Sequence, residues 1–212
     1  LHAQAASRGT DVDFTKIKGI VCDMDGVLWR GDTALPGLDA LFDMIVDLEL
    51  NYVLVTNNSS RTPDQYVHKL ARMGVETSVD HVLNSATAAT IYVADEYPGA
   101  IVYAIGGLGV REALESHGLD YRDDEDVGRV DVVVVGWDRR FNWRKLATAT
   151  RLILDGAAFV GTNPDRTFPM EDALAPGNGA QTAALEAATG VEPVIAGKPA
   201  ALLYRQALSG MG

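Results

Sequence analysis

The chain has 212 residues, of which 47% are apolar and 22% are charged, a composition typical of soluble globular proteins. Its net charge of −11 would repel a nucleic-acid backbone or an anionic membrane surface, so we expect neither as a partner. No apolar run approaches the roughly 20 residues that cross a bilayer. Because Cys22 is the only cysteine, it forms no disulfide within the chain, and a reducing cytoplasm fits best.

Strands and helices alternate along the first part of the chain, which is the pattern of a parallel sheet covered by helices. Thr62 followed by Pro63 predicts a helix start, with the threonine as N-cap and the proline as the first helical residue. The predicted strands are 17–22, 52–55 and 82–83. The predicted helices are 36–48, 62–74 and 85–96.

Pro98-Gly99 interrupts this pattern, which then starts again. The acidic stretch 120–126 predicts a solvated loop. The predicted strands of this second part are 100–105, 131–135, 158–161 and 191–196. The predicted helices are 110–117, 143–154, a helix from the turn at 176–179 to Gly190, and a last one after Pro199. The chain as a whole therefore predicts an α/β protein with parallel sheets.

Two acids, Asp23 and Asp25, stand where the first predicted strand ends. An extended backbone directs alternate side chains to the same side, so the two carboxylates should lie together. A divalent cation would relieve their repulsion, and Mg²⁺ prefers oxygen ligands. Gly26 then allows the chain to turn sharply beneath a ligand. The segment 23–27 thus favours magnesium-assisted chemistry on a phosphate group.

Two further segments place reactive groups after predicted strands. Thr56, Asn57 and Asn58 offer a hydroxyl group and amide donors, and Lys198 offers a cation. In open α/β sheets, ligands bind at the carboxyl ends of strands. A carboxylate nucleophile, hydroxyl and amide donors and a cation together indicate phosphoryl transfer.

Each segment also has a simpler interpretation. Asp-x-Asp alone occurs in turns and in structural calcium loops, Thr-Asn-Asn-Ser is a common turn signal, and Gly-Lys-Pro separates elements in many folds. The glycine-rich run 105–109 follows a predicted strand as dinucleotide-binding loops do, although Glu112 stands where their third glycine belongs. A phosphate-binding or nucleotide-binding protein without hydrolytic activity is therefore the alternative function.

The three segments, in this order, resemble the motifs of the haloacid-dehalogenase-like phosphatase superfamily, and in particular its NagD-like or p-nitrophenylphosphatase branch. Residues 22–29 resemble the first motif, 55–59 the second and 196–199 the third. Residues 135–139 and 161–165 resemble signatures of the cap domain of that branch. The resemblance extends from about Ile17 to the end of the chain.

The resemblance implies a doubly wound parallel-sheet core, residues 1–98 with 193–212, and an inserted α/β cap, residues 99–192. Thr56 follows Asp23 by 33 residues, which leaves no space for a domain, whereas Lys198 follows Thr56 by 142 residues. Sugar-phosphate mutases of the superfamily place a helical cap in the first interval, so a phosphatase is favoured. A homodimer formed through the cap would also match the resemblance.

The resemblance gives four residues catalytic roles in the hydrolysis of small-molecule phosphate esters. Asp23 would attack phosphorus and form an aspartyl phosphate, and Asp25 would act as general acid and then as general base. Both acids would bind Mg²⁺, Asp25 through its backbone carbonyl group. Thr56 and Lys198 would neutralise charge on the transferring group.

Four other residues would bind substrate. Backbone amides around Asn57 and Asn58 and near Gly26 would hold phosphate oxygens. Asp165, in a loop of the cap, is a candidate for reaching the site, with a simple Asx-Pro turn as the alternative. The cap would exclude water and select the leaving group.

Members of the superfamily carry a further motif, an acidic pair that follows a strand shortly after the lysine segment. One of those acids completes the magnesium shell. No such strand follows Lys198 before residue 212. We therefore expect the natural protein to continue beyond this residue, and a protein that ends there to bind magnesium weakly and to turn over little substrate.

Overall fold

The computed structural model describes residues 16–124, 126–169 and 173–211. The strands are β1 (Gly19–Asp23), β2 (Trp29–Arg30), β3 (Thr33–Ala34), β4 (Asn51–Thr56), β5 (Val82–Asn84), β6 (Ile101–Ile105), β7 (Asp120–Arg122), β8 (Val132–Val135), β9 (Ala158–Gly161), β10 (Thr167–Pro169), β11 (Leu174–Pro176) and β12 (Val194–Ile195). The helices are α1 (Leu38–Asp47), α2 (Pro63–Arg72), α3 (Ser85–Glu96), α4 (Leu108–Ser116), α5 (Trp143–Leu154), α6 (Asn178–Thr189) and α7 (Ala201–Met211). Within the described residues, no helix has the length and apolar composition of a membrane span.

Two parallel sheets organise these elements. The three-stranded sheet has the order β1-β4-β5, and the five-stranded sheet has the order β12-β9-β8-β6-β7. Every strand pair within them is parallel. Two antiparallel hairpins, β2–β3 and β10–β11, stand apart from the sheets. The prediction of an α/β fold with parallel sheets is confirmed.

Local sequence explains why these elements form. β8 consists of four consecutive buried valines, as is typical of a strand covered on both faces. Thr62 caps α2 as predicted: its hydroxyl group accepts from the backbone N–H of Gln65, and the Gln65 side chain accepts from the backbone N–H of Thr62. The predicted bounds of α3, α5 and β9 agree with the structure.

The structure corrects two local predictions and adds two hairpins. The predicted strand 191–196 is shortened to β12, which pairs with β9 in the five-stranded sheet. We assigned residues 193–212 to the core, and this segment therefore begins with a strand of the five-stranded sheet. Part of the predicted acidic loop forms β7, an edge strand paired with β6, while residue 125 lies outside the described residues. The hairpins β2–β3 and β10–β11 were not predicted, because strands of two or three residues carry no periodicity. The division into core and cap stays a prediction.

One apolar cluster connects the two sheets. It contains Val53 and Val55 of β4, Val102 of β6 and Val132 of β8, together with the small buried residues of α3. Alanines in α3 allow close approach of neighbouring elements, and α3 packs against both α4 and α7. The three-stranded and five-stranded sheets are therefore held together by shared apolar contacts.

The glycine-rich run 105–109 joins the sheets by close packing. A Cβ atom on Gly109 would lie 2.5 Å from the carbonyl oxygen of Ser59 and 2.7 Å from that of Arg61. The start of α4 therefore lies directly against the loop that follows β4. This contact explains the glycine without a bound nucleotide.

We predict that Gly109→Ala destabilises the protein by about 1–3 kcal/mol, because the added methyl group would overlap two backbone carbonyl groups. Denaturant unfolding measures the effect. Gly128→Ala is the control, since a Cβ atom there meets nothing within 4 Å. This variant should leave the denaturant concentration at the unfolding midpoint unchanged. Equal midpoints for both variants would contradict the packing argument.

Candidate active site

The carboxyl ends of β1 and β4 open into a cleft of about 1580 Å³. The hairpin β2–β3 and the loops around residues 137, 165 and 198 also line it. All of the predicted site residues lie on its wall: Asp23, Asp25, Gly26, Thr56, Asn57, Asn58, Asp165 and Lys198. The fold thus brings together side chains that are up to 175 residues apart in sequence. Their catalytic and binding roles stay predictions.

Asp23 forms an ion pair with Lys198. The lysine Nζ lies 2.5 Å from the Asp23 Oδ1, which also accepts from the backbone N–H of Met24 at 2.8 Å. The Asp23 side chain is 40% exposed, so the carboxylate remains open to the cleft. A cation and a backbone donor thus hold one carboxylate oxygen in place while the side chain faces the cleft, an arrangement that suits a nucleophile.

Asp25 is held by two donors from different elements. Its Oδ1 accepts from the indole N–H of Trp29 at 2.8 Å, and its Oδ2 accepts from the Thr56 hydroxyl group at 3.0 Å. The same hydroxyl oxygen accepts from the backbone N–H of Asn58 at 3.1 Å. The Thr56 hydroxyl proton is therefore directed at Asp25, and the orientation of Asp25 is fixed although the residue is exposed.

Gly26 makes the turn that was expected of it. Its φ of +83° lies in the left-handed region, which side chains with a Cβ rarely adopt. Its N–H donates to the carbonyl group of Trp29 at 2.8 Å. This turn returns the chain so that the Trp29 indole ring reaches Asp25.

Asn57 fixes the loops that carry Lys198 and Asp165. Its Oδ1 accepts from the Lys198 N–H at 2.7 Å, and its amide group donates to the Lys198 carbonyl group at 2.9 Å. The amide also donates to the Asp165 carboxylate at 3.1 Å and 3.3 Å. The backbone carbonyl group of Asn57 accepts from Ser85 and Asn163, both at 2.6 Å. The Asn57 side chain thus positions other site residues.

Asn58 and Asp165 each take part in a local turn. The Asn58 Oδ1 accepts from the backbone N–H and the hydroxyl group of Ser60, at 3.0 Å and 2.6 Å. The Asn163 Oδ1 accepts from the Asp165 N–H at 3.1 Å, which is the Asx turn expected as the simpler interpretation. The Asp165 carboxylate nevertheless reaches Asn57, so both interpretations of this loop hold geometrically.

Trp29 and Lys69 belong to the site but were not predicted. Trp29 is 1% exposed, and the Lys69 Nζ lies 4.3 Å from the centroid of its ring. Lys69 also donates to the carbonyl group of Gly31 at 2.7 Å. Burial lowers the pKa of Lys69, and the nearby charge of Arg61 lowers it further. A buried lysine thereby fixes the hairpin that presents Trp29 to Asp25.

The surroundings of Cys22 make its thiol a poor candidate for the nucleophile. Burial raises the pKa of the Cys22 thiol, and the charge of Asp23 raises it further, while that of Lys198 acts in the opposite direction. The thiol is therefore neutral, and a neutral thiol is a poor nucleophile. A carboxylate therefore remains the candidate nucleophile of this cleft.

The oxygen donors of the cleft fit Mg²⁺ in part. Among the described residues, no three His, Cys, Asp or Glu side chains form a metal-binding group. Mg²⁺ is nevertheless commonly bound by one or two carboxylates, with substrate phosphate and water supplying the other ligands. The Asp23 carboxylate and the Asp25 backbone carbonyl group would supply two protein oxygens at one cleft, which matches that smaller ligand set.

A cleft with these groups at the strand ends of a parallel α/β sheet is the arrangement expected of a phosphoryl-transfer hydrolase, and residues 20–120 match the family described as haloacid dehalogenase-like hydrolase. The chain belongs to the haloacid-dehalogenase-like hydrolases and is a phosphatase of their NagD-like branch. The predicted resemblance is confirmed.

Three relatives support this assignment. The acid sugar phosphatase of Staphylococcus saprophyticus is 39% identical over 191 residues, which cover 90% of this chain and 73% of the relative. The p-nitrophenyl phosphatase of Archaeoglobus fulgidus is 34% identical, with a TM-score of 0.86 over 92% of this chain and 74% of that structure. NagD of E. coli K-12 is 31% identical, with a TM-score of 0.84 over 92% of this chain and 75% of that structure.

We predict that Trp29→Phe lowers kcat about tenfold, because Asp25 loses the indole donor while the ring volume is largely kept. Steady-state kinetics with an alkyl phosphate measures the loss. Trp143→Phe is the control, since Trp143 is 77% exposed and lies outside the cleft. A kcat equal to that of the wild type would show that the indole N–H does not matter for Asp25.

Proposed function

We propose that the protein is a magnesium-dependent phosphatase that hydrolyses small-molecule phosphate monoesters through an aspartyl phosphate on Asp23. The ion pair between Asp23 and Lys198, beside Asp25 in an open cleft, carries this proposal. The carboxylate is accessible and next to a cation, as nucleophilic attack on a phosphate group requires. The family assignment supports the same chemistry.

The proposed reaction has two displacements at phosphorus. In the first, an Asp23 oxygen bonds to phosphorus, the ester P–O bond breaks, and protonated Asp25 gives its proton to the leaving oxygen. In the second, Asp25 takes a proton from water, the water oxygen bonds to phosphorus, and the bond between phosphorus and Asp23 breaks. Phosphate leaves, Asp23 is regenerated and Asp25 is again protonated.

Other residues of the cleft would stabilise charge and geometry. Lys198 neutralises charge on the transferring group, and Trp29 and Thr56 keep Asp25 directed at the leaving oxygen. Asn57 keeps Lys198 and Asp165 in place. Bound Mg²⁺, held by Asp23 and Asp25, would supply charge neutralisation and alignment of the phosphate group.

Sugar phosphates are the first substrates to test, because the curated relatives are named acid sugar phosphatases. The cleft volume of about 1580 Å³ is well above that of a phosphate group and leaves space for a leaving group of sugar size.

We also propose a homodimer formed through the predicted cap and a cytoplasmic location. The exposed apolar side chains of Trp143 and Leu154 on α5 are compatible with a dimer interface.

The function is tested by phosphate release from p-nitrophenyl phosphate and a panel of sugar phosphates. We expect release in Mg²⁺, and loss of release when EDTA removes the metal, since two carboxylates and a phosphate dianion repel one another without it. Restored release on adding Mg²⁺ back is the control. Equal release with and without EDTA would contradict the magnesium proposal, and binding without release would indicate the non-hydrolytic alternative.

A further inference from the structure

Three arginines in the cleft, Arg30, Arg61 and Arg139, have no hydrogen-bond or ion-pair partner for their guanidinium groups within the described part of the chain. Other charged groups of the cleft are engaged: Lys198 pairs with Asp23, Lys69 lies near Asp32, and the Asp165 carboxylate accepts from an amide. Three cations therefore remain for a ligand, and two of them, Arg61 and Arg139, are positioned by contacts with neighbouring elements.

The cleft differs in charge from the rest of the molecule. Its lining residues include five cations (Arg30, Arg61, Lys69, Arg139 and Lys198) and four acids (Asp23, Asp25, Asp32 and Asp165), whereas the chain as a whole carries a net charge of −11. Cations gathered in a concave site of an acidic protein raise the local concentration of anions. The cleft is thus suited to anionic ligands.

Arg61 is placed by contacts of its own backbone. It is half-buried, and its carbonyl group accepts from the Asn84 amide at 2.8 Å and lies against Gly109. Its charge is close enough to lower the pKa of Lys69. The charges of Asp25 and Asp32 act on Lys69 in the opposite direction, but neither acid forms an ion pair with Arg61 among the described residues, so its guanidinium group is open to an anionic ligand.

Arg139 is presented by a rigid aromatic pair. Its guanidinium carbon lies 5.2 Å from the centroid of the Trp137 ring, which stacks on Phe168 at 4.7 Å. The Trp137 indole N–H donates to the carbonyl group of Pro176 at 2.9 Å, and its backbone N–H donates to the Ser59 hydroxyl group at 3.0 Å. The pair forms an apolar wall next to a cation.

We propose that Arg61 and Arg139 form a second anion-binding subsite, which selects phosphate monoesters whose leaving group carries a further carboxylate or phosphate group. This inference rests on the proposed phosphatase function. A guanidinium group binds either oxyanion through two parallel hydrogen bonds, and the wall of Trp137 and Phe168 would contact the carbon skeleton between the two anionic groups. Lys198 and the metal would serve the phosphate group that is transferred.

The test compares substrates that differ only in the second anionic group. In the first pair, 3-phosphoglycerate carries a carboxylate group that glycerol 3-phosphate lacks. In the second pair, glucose 1,6-bisphosphate carries a second phosphate group that glucose 6-phosphate lacks. We expect a higher kcat/KM for the anionic member of at least one pair, and the pair that shows it identifies the anion. This selectivity should fall about tenfold in Arg61→Gln and in Arg139→Gln.

Matched arginines elsewhere provide the controls. Arg72 on α2 and Arg140 next to Arg139 are both exposed and lie outside the cleft lining, so Arg72→Gln and Arg140→Gln should keep the selectivity. Thermal melting of each variant verifies folding. Selectivity that is unchanged in Arg61→Gln and Arg139→Gln, or an equal loss on all four substrates, would overturn the subsite.

Binding measurements separate this inference from the proposed function. The Kd values of 3-phosphoglycerate and glycerol 3-phosphate, and of the two glucose phosphates, are measured by calorimetry and do not require turnover. A protein without hydrolytic activity that still prefers the anionic member through Arg61 and Arg139 would refute the phosphatase function and keep the subsite. Hydrolysis of all four substrates without any preference would keep the function and refute the subsite.

Discussion

Asp23→Asn should reduce kcat for p-nitrophenyl phosphate by more than about 10³-fold, because the amide has no charge with which to attack phosphorus. The shape of the side chain is kept, and the Asn oxygen can still accept from the Met24 N–H. What disappears is the negative charge that faces Lys198 at 2.5 Å. The loss should therefore lie in catalysis, which steady-state kinetics with Mg²⁺ measures.

Asp43→Asn provides the control for the change of charge. Asp43 lies on α1, is exposed, and does not line the cleft, so its variant should keep full activity. The melting temperatures of both variants show whether the fold is intact. If folded Asp23→Asn kept a kcat within about tenfold of the wild type, Asp23 could not be the nucleophile.

Asp25→Asn should separate the two halves of the reaction. The p-nitrophenolate group leaves without help from an acid, so the first displacement should survive with this substrate. The second displacement needs a base for water and should become slow. We therefore expect a rapid burst of p-nitrophenolate, equal in amount to the enzyme, followed by a steady rate about 10²-fold or more below that of the wild type. Stopped-flow absorbance measures both phases.

An alkyl phosphate is the control substrate for this variant. An alkoxide is strongly basic and needs the Asp25 proton to leave, so Asp25→Asn should release alkyl alcohol slowly and without a burst. Asn keeps one oxygen for one of the two donors, Trp29 and Thr56, and cannot accept at its amide nitrogen. Steady turnover of both substrates without a burst would argue against a covalent intermediate that Asp25 resolves.

The sequence was most informative where strands end in polar residues. Asp23 ends β1 and Thr56 ends the neighbouring strand β4, so the convergence of these two residues follows from parallel pairing alone, whereas Lys198 follows β12 of the other sheet and reaches them through tertiary packing. The start of a helix could also be predicted where the sequence contains an N-cap residue followed by proline, as at Thr62-Pro63. Local chemistry thus predicted both the class of fold and the position of the candidate site.

Contacts across long sequence distances could not be read from the chain. No local signal tells that the Asn57 side chain binds Lys198, 141 residues away, or that Lys69 fixes the hairpin of Trp29. β12 has only two residues, and its membership of the five-stranded sheet depends on pairing with β9. Such features are decided by tertiary packing, which overrides local propensity.

The covalent role of Asp23 is tested most directly by a crystal structure with Mg²⁺ and beryllium fluoride, which mimics a phosphoryl group bound to a carboxylate. We predict beryllium bonded to an Asp23 oxygen, with Lys198 contacting its fluorides and Asp25 facing the open side. Beryllium fluoride bound to another residue, or absent from the cleft while Mg²⁺ is present, would contradict a phosphorylated Asp23.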